Sequence, residues 1–257
     1  MSLIHKKFNI TTYLTDGIEE NWANVIVEAA VDISINAKYW LTLMCTPSNL
    51  EELAIGFLYN EGIITSFDEI KMIEVCHNGS NIDIWLNHSI DLPEKWQRTS
   101  GCTGGTTSVI LNNSKHTKLL PTKISSLKIS MLLDLLHQNQ NLYNLSGGVH
   151  SSALSDGDKM LIVMEDIGRH NTLDKIAGRC LMEIGFPTAS ILISTGRISS
   201  EMLQKASRIG SAIIISRTSP SSLSIEFANH MGICIIGYAR MDRFKIYSHP
   251  EYVEIAN

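Results

Sequence analysis

The sequence predicts an α/β fold: a largely parallel or mixed sheet covered by helices on both faces, with a β-rich part ahead of it. Three observations predict it. The last hundred residues alternate apolar strands with amphipathic helices, a pattern that requires strands joined by helical crossovers. Gly185, Gly210 and Gly232 stand where those helices stop, and Asn171 and Ser199 or Ser200 where they start. Before residue 90 the apolar spacing is that of strands instead.

Taken in order, Val25 to Ile35 alternates in part, and Asn36-Ala37 can turn it back into Tyr39 to Met44. Ser48 and Asn49 followed by Glu51 and Glu52 start a helix; Leu53, Ile55, Phe57 and Leu58 give it an apolar stripe, and Gly62 follows its end. Ile70 to Cys76 and Ile82 to Leu86 flank Asn78-Gly79, a pair suited to a tight hairpin turn. From Leu92 to Lys123 the pattern breaks into a long polar loop centred on Ser100 to Thr107. Ile129 to Leu142 is a helix before Ser146-Gly147-Gly148. Then come a strand at Met160 to Met164, a helix at Asn171 to Ile184, and a strand at Ser190 to Ser194. A helix at Ser200 to Ile209, a strand at Ala212 to Ser216, a helix at Ser221 to Met231 and a strand at Ile233 to Tyr238 complete the series. No repeat or linker interrupts the chain, so one α/β domain is expected over 1-257, β-rich over 1-124 and β-α-alternating over 125-257.

With 257 residues, 44% hydrophobic and 18% charged, the chain can bury a full core, which excludes disordered and fibrous classes. Its apolar runs are about four residues long, against roughly 20 for a membrane span. The acidic and amide residues Asp16, Glu19, Glu20 and Asn21 occupy the place of a signal peptide's apolar segment. Five widely spaced cysteines, an odd number, fit a reducing compartment, so a cytoplasmic location is expected. A net charge of -5 gives no long-range attraction to nucleic acid or anionic membrane. Any anion site is therefore local.

Ligands of open parallel sheets collect at the carboxyl ends of the strands, beside helix N-termini. The loops there are Glu165-Asp166-Ile167-Gly168-Arg169-His170-Asn171, Thr195-Gly196-Arg197-Ile198-Ser199, Arg217 to Ser221, and Gly237-Tyr238-Ala239-Arg240-Met241-Asp242-Arg243. Five of the eight arginines fall in these four loops. Guanidinium groups bind phosphate oxygens in pairs and keep their charge, so the set suits a nucleotide or dinucleotide. The plainer reading is that these arginines are solvated, or pair with Asp166 and Asp242. For Asn171 the plainer role is a helix cap, for Asp174 a charge favoured by the helix dipole, and for His170 a structural hydrogen bond.

Cys102 lies between Gly101 and Gly104-Gly105, where accessible backbone N–H groups can stabilise a thiolate. Cys45, Cys180 and Cys234 sit in apolar patterns and read as core thiols. There is no C-x-x-C, and His249-Pro250-Glu251 lacks the P-C-x-x-C that a zinc deaminase requires, so no catalytic zinc is expected. The glycine-rich phosphate-loop, dinucleotide and nucleophile-elbow motifs are absent.

At these residues the sequence resembles the FdhD family, accessory sulfurtransferases of molybdenum- or tungsten-dependent formate dehydrogenases. The matching segments are Ile55-Gly56-Phe57-Leu58 with Glu61-Gly62-Ile63-Ile64, Ser146-Gly147-Gly148-Val149-His150, Glu165 to Asn171 with Asp174-Lys175, Thr195-Gly196-Arg197 with Ser199 and Glu201-Met202, and Gly237-Tyr238-Ala239-Arg240. The resemblance implies a cytidine-deaminase-like three-layer α/β/α fold that binds the molybdenum bis(molybdopterin guanine dinucleotide) cofactor. It implies that Gly147, Gly148, His150, Asp166, Arg169, His170, Asn171, Arg197, Ser199 and the run Tyr238, Ala239, Arg240, Met241, Asp242 and Arg243 hold that cofactor. It also implies that Cys102 carries sulfur as a persulfide from a cysteine desulfurase to the cofactor's metal, with formate dehydrogenase as client. Self-association as a homodimer stays open. One departure is visible: the family loop often carries C-x-x-C, and the position three after Cys102 is Gly105. A chaperone that binds the cofactor without transferring sulfur is the other class of function.

Overall fold

The computed structural model describes residues 3–76, 78–91, 97–98, 106–107, 119, 122–187 and 190–255. An antiparallel ribbon, β1 (His5–Leu14) and β2 (Gly17–Ile26), comes first and leaves Tyr13, Ile18 and Trp22 largely exposed. The sequence reading passes over this ribbon because its apolar residues lie on both faces and follow no single period. A four-stranded sheet follows in the order β4-β3-β6-β5, from β3 (Ala29–Ile35), β4 (Lys38–Cys45), β5 (Ile70–Val75) and β6 (Asn81–Leu86). The β3–β4 turn is the expected one: Asn36 and Ala37 both take positive φ, 51° and 63°. In the β5–β6 turn Gly79 does so, at 69°.

Helix α1 (Leu50–Asn60) packs on this sheet, with Leu53, Ile55 and Leu58 against Val31, Ile33, Ile82 and Ile84, all at most 1% exposed. Its opposite side meets α4 (Arg169–Arg179) at backbone distance. A Cβ added at Gly56 would sit 1.7 Å from the Asp174 carbonyl oxygen, and one at Gly178 would sit 2.0 Å from that of Glu52. Only glycine allows this crossing. Short ladders join β7 (Gln97–Arg98) to β8 (Thr106–Thr107), and β9 (Ile124–Ser125) to β16 (Val253–Glu254).

The largest sheet has six strands in the order β11-β10-β12-β13-β14-β15: β10 (His150–Ser155), β11 (Met160–Asp166), β12 (Ser190–Ser194), β13 (Ser211–Ser216), β14 (Cys234–Gly237) and β15 (Lys245–Ser248). It is mixed: β12, β13 and β14 are parallel, whereas β10 runs antiparallel to β11 and β12, and β15 to β14. The expectation of strict β-α alternation is thus corrected at both edges. Strand β10 escapes the sequence reading because it reads His-Ser-Ser-Ala-Leu-Ser, with its serines buried and bonded inside, Ser152 Oγ to Ser194 Oγ at 3.0 Å and to Thr172 Oγ1 at 2.7 Å.

Alternate residues of the strands face opposite layers. Leu154, Leu192, Ile214 and Ile235 pack with α4, α5 (Ser200–Ile209) and α6 (Ser222–Met231), while Ile191, Ile193, Ile213 and Ile236 pack with α2 (Ser126–Gln138). The helix expected over 129–142 breaks at Asn139-Gln140 into α2 and α3 (Asn141–Ser146). Ser199 and Ser221 cap α5 and α6 with side-chain bonds to Met202 and Ser224 N–H, and Gly210 and Gly232 end them at positive φ. No described helix is long and apolar enough to cross a membrane.

Candidate functional site

Antiparallel β10 enters the sheet at the edge where β11 to β14 leave it, so Gly147-Gly148-Val149-His150 meets the loops after four other strands. There a cavity of about 490 Å³ is lined by Gly147, Gly148 and His150, by Thr195 after β12, and by Arg217, Thr218 and Arg240 after β13 and β14. Arg217 and Arg240 also line a second cavity of about 230 Å³, whose other wall is α2. Arg240 Nη1 donates to the carbonyls of Arg217 at 2.7 Å and Ala239 at 2.8 Å, which fixes its guanidinium at the shared wall. Among the described residues neither arginine pairs with a carboxylate, as Arg179 does with Glu52 and Glu183. Two guanidinium groups with no carboxylate partner among the described residues, beside exposed glycine backbone and two threonine hydroxyls, are chemically suited to a polyanion. A Cβ on Gly147 would meet nothing within 4 Å, which leaves room for a ligand.

His150 half faces this cavity with Nδ1 3.3 Å from Thr195 Oγ1. Burial, and after it the charges of Arg169 and His170, hold its pKa below the usual histidine value. His170 is enclosed behind the wall, with Nε2 3.1 Å from Glu201 Oε2 and 3.4 Å from Ser199 Oγ. Burial lowers its pKa too, against the opposing pull of Glu201. Ser199 serves as the cap of α5, the plainer of its roles.

Three residues assigned to ligand contact have internal partners. Asp166 is 0% exposed; it accepts from Thr46 N–H at 3.1 Å, Gly168 N–H at 2.8 Å and Asn171 Nδ2 at 2.8 Å, and pairs with Lys175 Nζ at 2.7 Å. It holds the Gly168 turn in place and has no oxygen facing the cavity. Asn171 is not the cap of α4, a place taken by Gly168: it ties Met44 carbonyl to Asp166. Arg169 is buried, 4% exposed, with its stem against Gly196. Asp174 is buried, pairs with Lys205 at 2.5 Å and accepts from Asn60 at 2.7 Å.

In the fourth loop Ala239 is buried in the wall of the second cavity and Met241 lines it, while Asp242 and Arg243 are exposed. Tyr238 takes φ 50° and stacks under Lys245 Nζ at 4.9 Å. Arg197 is exposed and lines neither cavity. Thr195 and Thr218 of the larger cavity fall in the loops the sequence placed at this edge, though neither was singled out as a contact, and Tyr143 was missed. Cys102 and its loop lie outside the described residues. Cys45, Cys180 and Cys234 are buried, and burial pushes each thiol up to about 12. Cys76 differs: burial raises its pKa, but hydrogen bonds from Ser80, Asn81 and Asn78 together bring it below the ordinary thiol value.

Fold and cleft define a mixed α/β protein with an arginine-lined cleft at the carboxyl ends of its parallel strands. The same architecture occurs in a crystal structure from Desulfotalea psychrophila assigned as a formate dehydrogenase accessory protein, with a TM-score of 0.81, 27% identity, and coverage of 98% of this chain and 100% of that one. The chain belongs to the FdhD/NarQ family, whose model matches residues 26–254. It is 35% identical to the sulfur carrier protein FdhD of Bacillus subtilis, over 89% of this chain and 90% of that protein. The same-named protein of Staphylococcus aureus is 34% identical over 89% and 88%.

Proposed function

We propose that this protein is a sulfur carrier in formate dehydrogenase maturation, in which Cys102 takes sulfur from a cysteine desulfurase and passes it to the metal of a molybdenum bis(molybdopterin guanine dinucleotide) held in the arginine-lined cleft. The observation that carries this reading is the convergence of Arg217 and Arg240, both without carboxylate partners among the described residues, on the Gly147-Gly148 rim, in a chain of this family. The residues fit such a ligand: the guanidinium groups, Thr195 and Thr218 suit its diphosphates, and His150, held neutral, can donate or accept beside them.

The loading step is an exchange. The Cys102 thiolate attacks the terminal sulfur of the desulfurase persulfide; the new S–S bond forms on Cys102 as the old one breaks, and the desulfurase thiolate leaves, with no net oxidation. Because position 105 is glycine, no neighbouring thiol resolves the Cys102 persulfide. The acceptor, as a reduced metal centre or with an external thiol, supplies the two electrons that release the sulfur as sulfide.

Incubation with a cysteine desulfurase and cysteine should add one sulfur to the intact mass, removable by reductant and absent in Cys102→Ser. Arg240→Ala should still load sulfur but bind pyrophosphate more weakly, by roughly tenfold or more for a charge-assisted contact. A Cys102→Ser protein that restores client activity in a strain lacking the native chain would leave the cofactor-binding chaperone as the function.

A further inference from the structure

Glu165, near the end of β11, does not line the larger cavity, yet its carboxylate reaches the segment that does. Helix α3 leads straight into the Gly147-Gly148 rim, and its own residues do little to hold it. It is six residues long, has no buried residue, and receives no cap bond from the side chain of Gln140 ahead of it. A helix of that length is not stable by itself. Glu165 supplies the missing acceptors: Oε2 takes the N–H of Leu142 at 2.7 Å and Oε1 that of Tyr143 at 2.9 Å.

The two residues so held pass the constraint on to the rim. Tyr143 carbonyl accepts from Gly147 N–H at 2.7 Å; Leu142 carbonyl accepts from Ser146 Oγ at 2.8 Å, and that oxygen takes Gly148 N–H at 3.3 Å. On the far side of the rim Ser151 Oγ donates to Glu165 Oε1 at 3.1 Å. Ser151 N–H in turn donates to Thr195 Oγ1, and its carbonyl accepts from Thr195 N–H, both at 3.0 Å. One carboxylate thus grips the chain before and after residues 147–150. Both rim residues are glycine, so no side chain of their own fixes them. We infer that Glu165 is the positioning residue of this rim, acting through α3 and Ser146 to set the Gly147 and Gly148 backbone against the arginine wall; this rests on the polyanion reading of the cleft.

A negative charge behind a polyanion site makes the role testable by sign. By charge alone, Glu165→Gln removes a repulsion and tightens binding. By position it loosens the rim, because glutamine keeps the length but offers one oxygen to two N–H groups and turns a donor toward the other. The full chain, Glu165→Gln and Ser146→Ala are compared by titration calorimetry with inorganic pyrophosphate and by amide hydrogen exchange. Pyrophosphate should bind about tenfold or more weakly to Glu165→Gln and about threefold more weakly to Ser146→Ala. In Glu165→Gln the Gly147 and Gly148 amides should exchange roughly tenfold faster, with those of β12 and β13 unchanged. Native or tighter pyrophosphate binding in Glu165→Gln, native exchange at the rim, or an acceleration shared equally with β12 and β13 overturns the assignment and leaves the polyanion reading standing. Should Glu165→Gln not fold, the pyrophosphate affinity of Ser146→Ala decides: a native value overturns the assignment and a weakened one supports it. A native chain that does not bind pyrophosphate overturns both.

Discussion

Replacing Lys175 with methionine tests whether the Gly168 turn is anchored as described. Lys175 and Asp166 are both 0% exposed and meet at 2.7 Å; Lys175 Nζ also reaches the carbonyls of Thr46 at 3.3 Å and Glu165 at 3.1 Å, and Ser48 Oγ at 3.4 Å. Methionine keeps the length of the side chain but removes the charge and every donor. Asp166 is then left buried with three neutral donors and no counter-charge. Breaking a buried pair from one side costs about 3–5 kcal/mol, a large share of the ~5–15 kcal/mol that holds a domain together. At about 2–4 °C per kcal/mol, the melting temperature should fall by roughly 6–20 °C. Urea unfolding of the native chain, Lys175→Met, Asp166→Asn and the double variant supplies the assay. The two single losses should overlap in the double by about 1 kcal/mol or more, because both remove the same pair. A Lys175→Met protein within about 0.5 kcal/mol of native stability, with an unchanged urea slope, refutes the anchoring role.

Gly56→Ala should destabilise by more than about 3 kcal/mol or yield insoluble protein, since its Cβ would lie 1.7 Å from the Asp174 carbonyl oxygen; Gly147→Ala, with open space but φ 66°, should cost only about 1–2 kcal/mol by urea unfolding. His150 and His170 have lowered folded pKa values, so they contribute stability that is present above the unfolded histidine value and is lost as pH falls through it toward the folded values; His150→Gln should flatten the fall in melting temperature between about pH 7 and pH 5, and an unaltered slope would contradict its burial as a neutral ring. Iodoacetamide should label Cys76 well before Cys45, Cys180 and Cys234, read by peptide mass spectrometry, because the lowered thiol is the more ionised one; equal rates at all four would refute this ordering.

What the sequence made legible follows from how each element signals itself. Helices α5 and α6 carry serine caps, glycine stops and one apolar stripe, and they form within a residue of the expected bounds. The antiparallel strands β10 and β15 carry no such signal: one buries serines that bond to neighbouring strands and the other reads Lys-Ile-Tyr-Ser. Missing β10 hid the reason why Gly147 and Gly148 reach the arginine loops. The arginines of the third and fourth loops were legible as a group because five of the chain's eight arginines fall in the four loops at the carboxyl edge. The internal partners of Asp166, Asn171 and Asp174 were not legible because a polar residue at a helix start is ordinarily solvated, and here the packing of α1 and β4 encloses all three.

The crossing of α1 on α4 also sets a timetable for synthesis. Gly56 and Gly178 are 122 residues apart, and the N-terminal core draws Leu181 and Met182 into its packing. At about 5–20 residues per second, α1 waits roughly 6–24 s on the ribosome for the helix that covers it. For that interval the face built around Gly56 is uncovered, and Thr46 has neither Asp166 nor Lys175 to bond. The N-terminal sheet and α1 therefore leave the ribosome as an unfinished surface, and the step that closes it is the same one that sets the Gly168 turn.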